Sequence, residues 1–268
     1  MTKNYYGLVS GLQNLVVGKK DDLSPADFRD FLSAQLLPED YYQLLLLYYK
    51  YDNQNFTEAY FKTNEFNSNG NLSEEELGGI FKNKYSEDIY FSVLLDKIDL
   101  EQNNLTRFEL EHILTQHYYD FVAENGIDFL VRWSEFELTL QNLTVVYALR
   151  NLKIDDDNQF IKGGYFSGLE LKRINVADLD RQYPHLKRKY EALEITDPIQ
   201  RKLKVDQIKW DFLDENSFFQ YFTIEKILAY TIKLNHLEVW KEIDNNEGSI
   251  LLDNYVQQVN NELETLIQ

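Results

Sequence analysis

Apolar residues along this chain recur mostly at the three-and-four spacing of one helical face, and the polar residues between them mark where helices start. Ser24-Pro25 sets a capping serine before proline at the first helical position and predicts a helix through Phe28, Phe31 and Leu32. Pro38-Glu39-Asp40 opens a second, which carries the Leu44–Leu47 run and continues through Tyr51 towards Phe61. Ser73 followed by Glu74, Glu75 and Glu76 combines a cap with acids in the first turn, where the helix dipole favours negative charge. Thr106-Arg107-Phe108-Glu109 is a capping box that leads a helix towards Tyr119. A strong amphipathic helix is expected over 129–152, charged helices over 177–193 and 199–213, a long helix over 222–243, and a closing one over 250–267. Polar stretches at 64–71, 155–168, 196–198 and 244–248 separate them. Four prolines and 11 glycines are few for 268 residues, which agrees with long helices joined by short connections.

Three of the long helices carry a polar residue on a face that should be apolar. Asp52 and Asn55 follow the Leu44–Tyr51 run; Asn142 lies among Leu138, Val145, Val146 and Leu149; Glu238 shares a face with Ile227, Thr231 and Leu234. Successive sites are about 90 residues apart, a faint internal repetition of domain size. A buried polar group costs about 1–3 kcal/mol unless paired. These four are therefore expected to satisfy backbone groups at the ends of neighbouring helices, or else to be wetted at the core edge. Arg132 and Arg150 flank the middle helix, either as solvated helix ends or as partners for acids on another protein.

Composition narrows the field. The formal charge of −18 repels phosphate backbones and anionic membrane surfaces, so nucleic-acid binding is not expected. With no cysteine, disulfides, thiolate nucleophiles and Cys-based zinc sites are excluded. The start, Met1-Thr2-Lys3-Asn4, lacks the charged-then-apolar design of a signal peptide, and Leu44–Tyr49 is far short of the ~20 apolar residues needed to cross a bilayer. The expected location is the cytoplasm, without direct membrane insertion. Nineteen tyrosines and 17 phenylalanines suit broad interfaces as well as cores.

Chemistry is sparsely marked. His112, His117, His185 and His236 form no His-Glu-x-x-His pattern, and Gly163–Gly168 lacks the Lys-Ser/Thr ending of a phosphate loop. No catalytic residue and no cofactor is expected. The one competing motif resembles a calcium-binding EF-hand loop: Glu65, Asn67, Asn69 and Asn71 at its first, third, fifth and seventh positions, Gly70 at its sixth and Glu76 at its twelfth. Only two of those side chains carry charge, so weak calcium binding is the most this loop promises. A calcium-responsive helical binding module is the alternative reading.

A family resemblance appears on the same helices. Phe222-Thr223-Ile224-Glu225-Lys226-Ile227-Leu228-Ala229-Tyr230, running to Glu238-Val239-Trp240, resembles the C-terminal signature of the central-stalk adaptor family of V-type (vacuolar/archaeal-type) rotary ATPases. Arg132-Trp133 through Gln141-Asn142-Leu143 to Arg150 is similar to that family's central helix, and Tyr51–Asn55 to its first Asp…Asn element. Tyr5-Tyr6-Gly7-Leu8 is similar to a divergent branch of short bacterial proteins of the same kind. The asparagine usual after the C-terminal glutamate is absent, with Trp240-Lys241-Glu242 in its place. The resemblance implies an all-α fold of three similar helical bundles, over about 1–90, 91–175 and 176–268, in a funnel of pseudo-threefold arrangement. It also implies a non-catalytic central-stalk adaptor, peripheral to the inner membrane. Its partners would be the central shaft subunits and the proteolipid ring of a V-type ATPase or ATP synthase that moves protons or sodium ions.

Overall fold

Side-chain caps from Ser24, Ser73 and Thr106 start three of the helices where the sequence marks them. In the computed structural model, which describes residues 4–17, 23–63, 65–98, 100, 104–174 and 183–244, with side chains to Trp240, the fold is all-α. Twelve α-helices run through the described residues, with one short 3₁₀ turn and no strand.

The helices belong to two compact units. The first is discontinuous, made from the described residues of Met1–Gln35 and Leu179–Gln268. It contains α1 (Tyr6–Ser10), α2 (Pro25–Ser33), α10 (Pro184–Leu193), α11 (Pro198–Ser217) and α12 (Ile224–Asp244). Ser24 caps α2 by accepting from Asp27 N, and Asp197 caps α11 by accepting from Ile199 N and Gln200 N. α11 packs on both α10 and α12, and α2 closes onto α12, where Phe28 meets Tyr230 edge to face at 5.2 Å. Tyr5 N donates to Phe222 O at 2.6 Å, tying the start of the chain to the α11–α12 turn. Trp210, Leu237 and Trp240 form a further buried cluster against Leu15, Val17 and Leu203.

The second unit is continuous, Leu36–Asp178. It holds α3 (Pro38–Leu45), α4 (Tyr49–Tyr60), α5 (Glu74–Asn83), α6 (Ile89–Leu95), α7 (Arg107–Asn125), α8 (Asp128–Leu152) and α9 (Gly168–Arg173). α7 lies at its centre and packs on α4, α6 and α8. Tyr49 stacks on Tyr90 at 4.1 Å, and Phe56, Phe91, Leu110, Leu114 and Phe129 fill the fully buried interior. Each such side chain contributes about 1.5–3 kcal/mol by leaving water.

The helix expected from Pro38 to Phe61 is broken. Leu46–Tyr48 form a turn between α3 and α4, with Leu47 N donating to Leu44 O and Tyr48 N to Leu45 O. The run of apolar residues explains the break: Leu44, Leu46, Leu47, Tyr48 and Tyr49 are all buried, which a straight helix with one apolar stripe cannot achieve. Short α1, α6 and α9 went unmarked by periodicity, whereas 155–168 holds a 3₁₀ turn (Asp157–Gln159) within irregular backbone. Of the helix expected over 177–193, Pro184–Leu193 is described; the closing helix over 250–267 lies outside the described residues. The bundle boundary expected near residue 90 falls inside α6, in the unit where α4 packs on α7, and that near 175 lies next to the boundary between the units. No helix among the described residues is long and apolar enough to cross a membrane.

Candidate functional site

The polar residues singled out on α4 face a loop. Asp52 is buried and accepts from Asn71 N and Leu72 N, both at 3.0 Å. One helical turn on, Asn55 donates from Nδ2 to Asn67 O at 2.9 Å and accepts at Oδ1 from Asn67 N at 2.7 Å. The loop then enters α5 through a capping box, in which Ser73 Oγ accepts from Glu76 N and the Glu76 carboxylate accepts from Ser73 N. Burial raises the Asp52 carboxyl to about 6 despite the two backbone donors, and nearby Asp88 adds to the rise. Gly70 has to be glycine here: a Cβ would lie 2.5 Å from Asp52 Oδ1.

The same construction recurs on α8. Asn142, fully buried, donates from Nδ2 to Ile161 O at 2.8 Å and accepts from Ile161 N at 3.2 Å. Thr139, one turn before it, accepts from Tyr165 N at 2.8 Å. Ser167 and Glu170 form the capping box that opens α9. Gly164 stands at φ +82°, and a Cβ on it would lie 2.7 Å from Thr139 Oγ1.

The two copies match position for position. On the helices the offset is 87 residues (52 to 139, 55 to 142); through the loops it is 94 (67 to 161, 70 to 164, 73 to 167, 76 to 170). The second loop is therefore longer by the difference, seven residues, inserted before the clamped residue. Lys50 and Glu137, which occupy equivalent positions two residues before Asp52 and Thr139, form an ion pair with each other. Side-chain amides reinforce the pattern elsewhere in this unit. Gln116 binds both N and O of Lys162, and Gln43 holds the α7–α8 turn through Asn125 O and Ile127 N. Such paired bonds do for irregular backbone what a ladder does for a strand: they match its N–H and C=O groups and fix the loop's register.

The other expected residues scatter. Arg132 is exposed, and its carbonyl accepts from Tyr165 OH. Arg150 donates to Lys172 O at 2.8 Å, in the last turn of α9. Glu238 is half-buried on α12, and the residues after Asp244, where a third loop would follow, lie outside the described residues. Of the EF-hand-like positions, Glu65 is exposed, Asn67 Oδ1 accepts from Asn69 N, and Asn71 Nδ2 donates to Leu45 O at 3.1 Å. Glu76, the residue meant to grip the ion, gives its carboxylate to the cap. Among the described residues no group of three or more His, Asp or Glu side chains is placed to share a metal.

Two polar groupings were not legible as sites. Around α7, Tyr90 OH donates to Asn53 Oδ1, Asn53 Nδ2 to Leu114 O, and His117 Nε2 lies 2.8 Å from Tyr90 O. A carbonyl can only accept and the ammonium of Lys97, 3.2 Å from Nδ1, can only donate, so His117 is the neutral Nε2–H tautomer. Its burial lowers its pKa, in the same direction. In the first unit, Asp206 accepts from Trp240 Nε1 and Lys202 Nζ, each at 2.8 Å; burial pushes its pKa up, but His236, Lys202 and Trp240 outweigh that and hold it low.

The α11–α12 turn of the same unit presents apolar surface outward. Phe218, Phe219 and Tyr221 are 60, 78 and 59% exposed, and Tyr6, 58% exposed, leans on Phe222 at 4.6 Å. Phe218 and Phe219 touch each other edge to face. A cluster of rings held in water on a short turn is the composition of an interface core.

A family model described as a protein of unknown function, DUF2764, matches residues 1–263. No curated protein and no solved structure matches the chain.

Proposed function

The chain belongs to the DUF2764 family, and from its own residues we propose that it is a non-catalytic adaptor, the central-stalk component that couples the rotating shaft of a V-type ATPase or ATP synthase to its proteolipid ring. The observation that carries this reading is the duplicated helix–loop–cap unit, built on two of the helices whose sequences resemble the rotary-ATPase adaptors. The repeating element is then a long helix with the loop and capped helix that follow it, α4 with α5 and α8 with α9. α12 carries Asn235 and Glu238 at the spacing of Asp52 with Asn55 and Thr139 with Asn142.

A torque-transmitting part needs stiffness and contact surface, not an active site. Paired amide-to-backbone bonds supply stiffness where a helical protein is ordinarily softest, in its loops. The aromatic turn of Phe218, Phe219 and Tyr221 supplies a surface for a partner. The role requires no cofactor and places the chain at the cytoplasmic face of a membrane through its partners.

Co-expression with tagged shaft and ring subunits tests the reading. The chain is expected to co-purify with the intact complex under mild extraction, and a Phe218→Ser/Phe219→Ser variant to be lost from it. A complete complex that assembles, turns over ATP and pumps ions without the chain would remove it from the central stalk.

A further inference from the structure

The first unit has a half-open cavity of ≈ 270 Å³ between the segment after α1, the end of α11 and the first half of α12. Leu12, Leu15 and Ala229 give it an apolar wall. Its polar side is cationic, against the −18 of the chain as a whole. Lys226 and Lys233 stand two turns apart on one face of α12, with Tyr230 between them, and all three line the cavity.

The charges do not cancel. Lys233 is paired with Asp214 at 2.6 Å, whereas among the described residues the ammonium of Lys226 reaches only the hydroxyl of Ser217, at 3.5 Å. Burial lowers the pKa of Lys233; Asp214 opposes that, Lys226 adds to it by repulsion, and Asp211 opposes it from further along α11. Two cations thus face one carboxylate in a partly dry space, where an added negative charge is favoured and an added positive one is not.

We infer that this cavity binds a small organic carboxylate, its charged end beside the Lys226 ammonium and its apolar body against Leu12, Leu15 and Ala229. The apolar wall distinguishes such a ligand from inorganic anions. Ser217 lines the cavity and directly precedes Phe218, so an occupant would brace the exposed aromatic turn from behind. The inference does not depend on the adaptor role.

Titration of the purified chain with sodium hexanoate tests it, followed by amide NMR shifts of Ala229, Tyr230 and Lys233 and by calorimetry. Saturable binding at millimolar concentrations or below is expected for hexanoate, with 1-hexanol and inorganic phosphate each at least about tenfold weaker. Lys226→Gln is expected to weaken hexanoate about tenfold and Lys226→Arg to retain it. Hexanoate binding that fails to saturate, or that 1-hexanol or phosphate equals, overturns the inference in the unaltered chain, whatever the variants do. So does a folded Lys226→Gln protein with unchanged affinity.

Discussion

At Asn142 a single side chain makes two bonds that nothing else nearby can replace. Its amide sits wholly inside the protein, and Ile161 contributes both the donor and the acceptor it binds. Asn142→Leu strands both backbone groups of Ile161 and is expected to cost about 2–4 kcal/mol. Asn55→Leu should cost less, because the half-buried loop at Asn67 can turn to water. Urea unfolding of the two variants, compared at equal m-value, measures the difference. Asp52 adds a dependence on pH. Its folded pKa of about 6 lies above the 3.8 of the unfolded chain, so the native state holds this proton more tightly. The stabilisation is complete below about pH 4 and is lost as pH rises through about 6, a change of at most ~3 kcal/mol. Asp52→Asn is expected to flatten that part of the stability curve; two curves running parallel from about pH 4 to 6 would assign the titration to another group. These residues were legible in the sequence because a polar group at an apolar helical position stands out. Their partners were not, because they lie twelve and nineteen residues further on, in loops that carry no period. Thr139 does not stand out, since threonine on a core face is ordinary, although its spacing to Asn142 repeats that of Asp52 to Asn55.

Among the elements, the loop glycines and the helix glycines make opposite demands. Gly70→Ala drives a Cβ into Asp52, and Gly164→Ala meets Thr139 and Glu135 at a positive φ, so each should lower the melting temperature and uncouple a loop from its helix. Gly78 and Gly79 lie within α5 with open space around their Cα atoms. Alanine there is expected to stabilise by up to about 1 kcal/mol, through the entropy glycine loses on entering a helix. Calorimetric melts of the four single variants should show two shifts down and two up. Capping chemistry made the starts of α2, α5 and α7 readable, because each cap is a local bond written within four residues. The bend at Leu46–Tyr48 was not readable, since it is imposed by the need to bury five apolar side chains that a straight helix would spread around its axis. The aromatic run after α11 is no more readable: its composition suits a core, yet its place on the turn between α11 and α12 leaves Phe218, Phe219 and Tyr221 outside.

For the molecule as a whole, the division of the chain has a consequence for folding. Leu36–Asp178 is one uninterrupted stretch with its own aromatic interior, centred on α7 and cross-linked by the Gln43, Asn55, Gln116 and Asn142 amides. Every partner of those bonds lies within the same stretch, so these four clamps require nothing from the rest of the chain. The other unit cannot close from its C-terminal part alone. α12 is covered by α2 through Phe28, and the α11–α12 turn is held by the backbone of Tyr5, both supplied from the start of the sequence. A fragment of residues 36–178 is therefore expected to purify as a helical domain with a cooperative melt and dispersed aromatic resonances. A fragment from residue 179 onward is expected to be helical in part but loosely packed, its aromatic resonances collapsed, until a peptide of residues 1–35 is added. Recovery of dispersion on adding that peptide would show that the chain ends assemble one body in trans; a C-terminal fragment that melts cooperatively by itself would place that unit's stability in α10–α12 and leave α2 a mere covering.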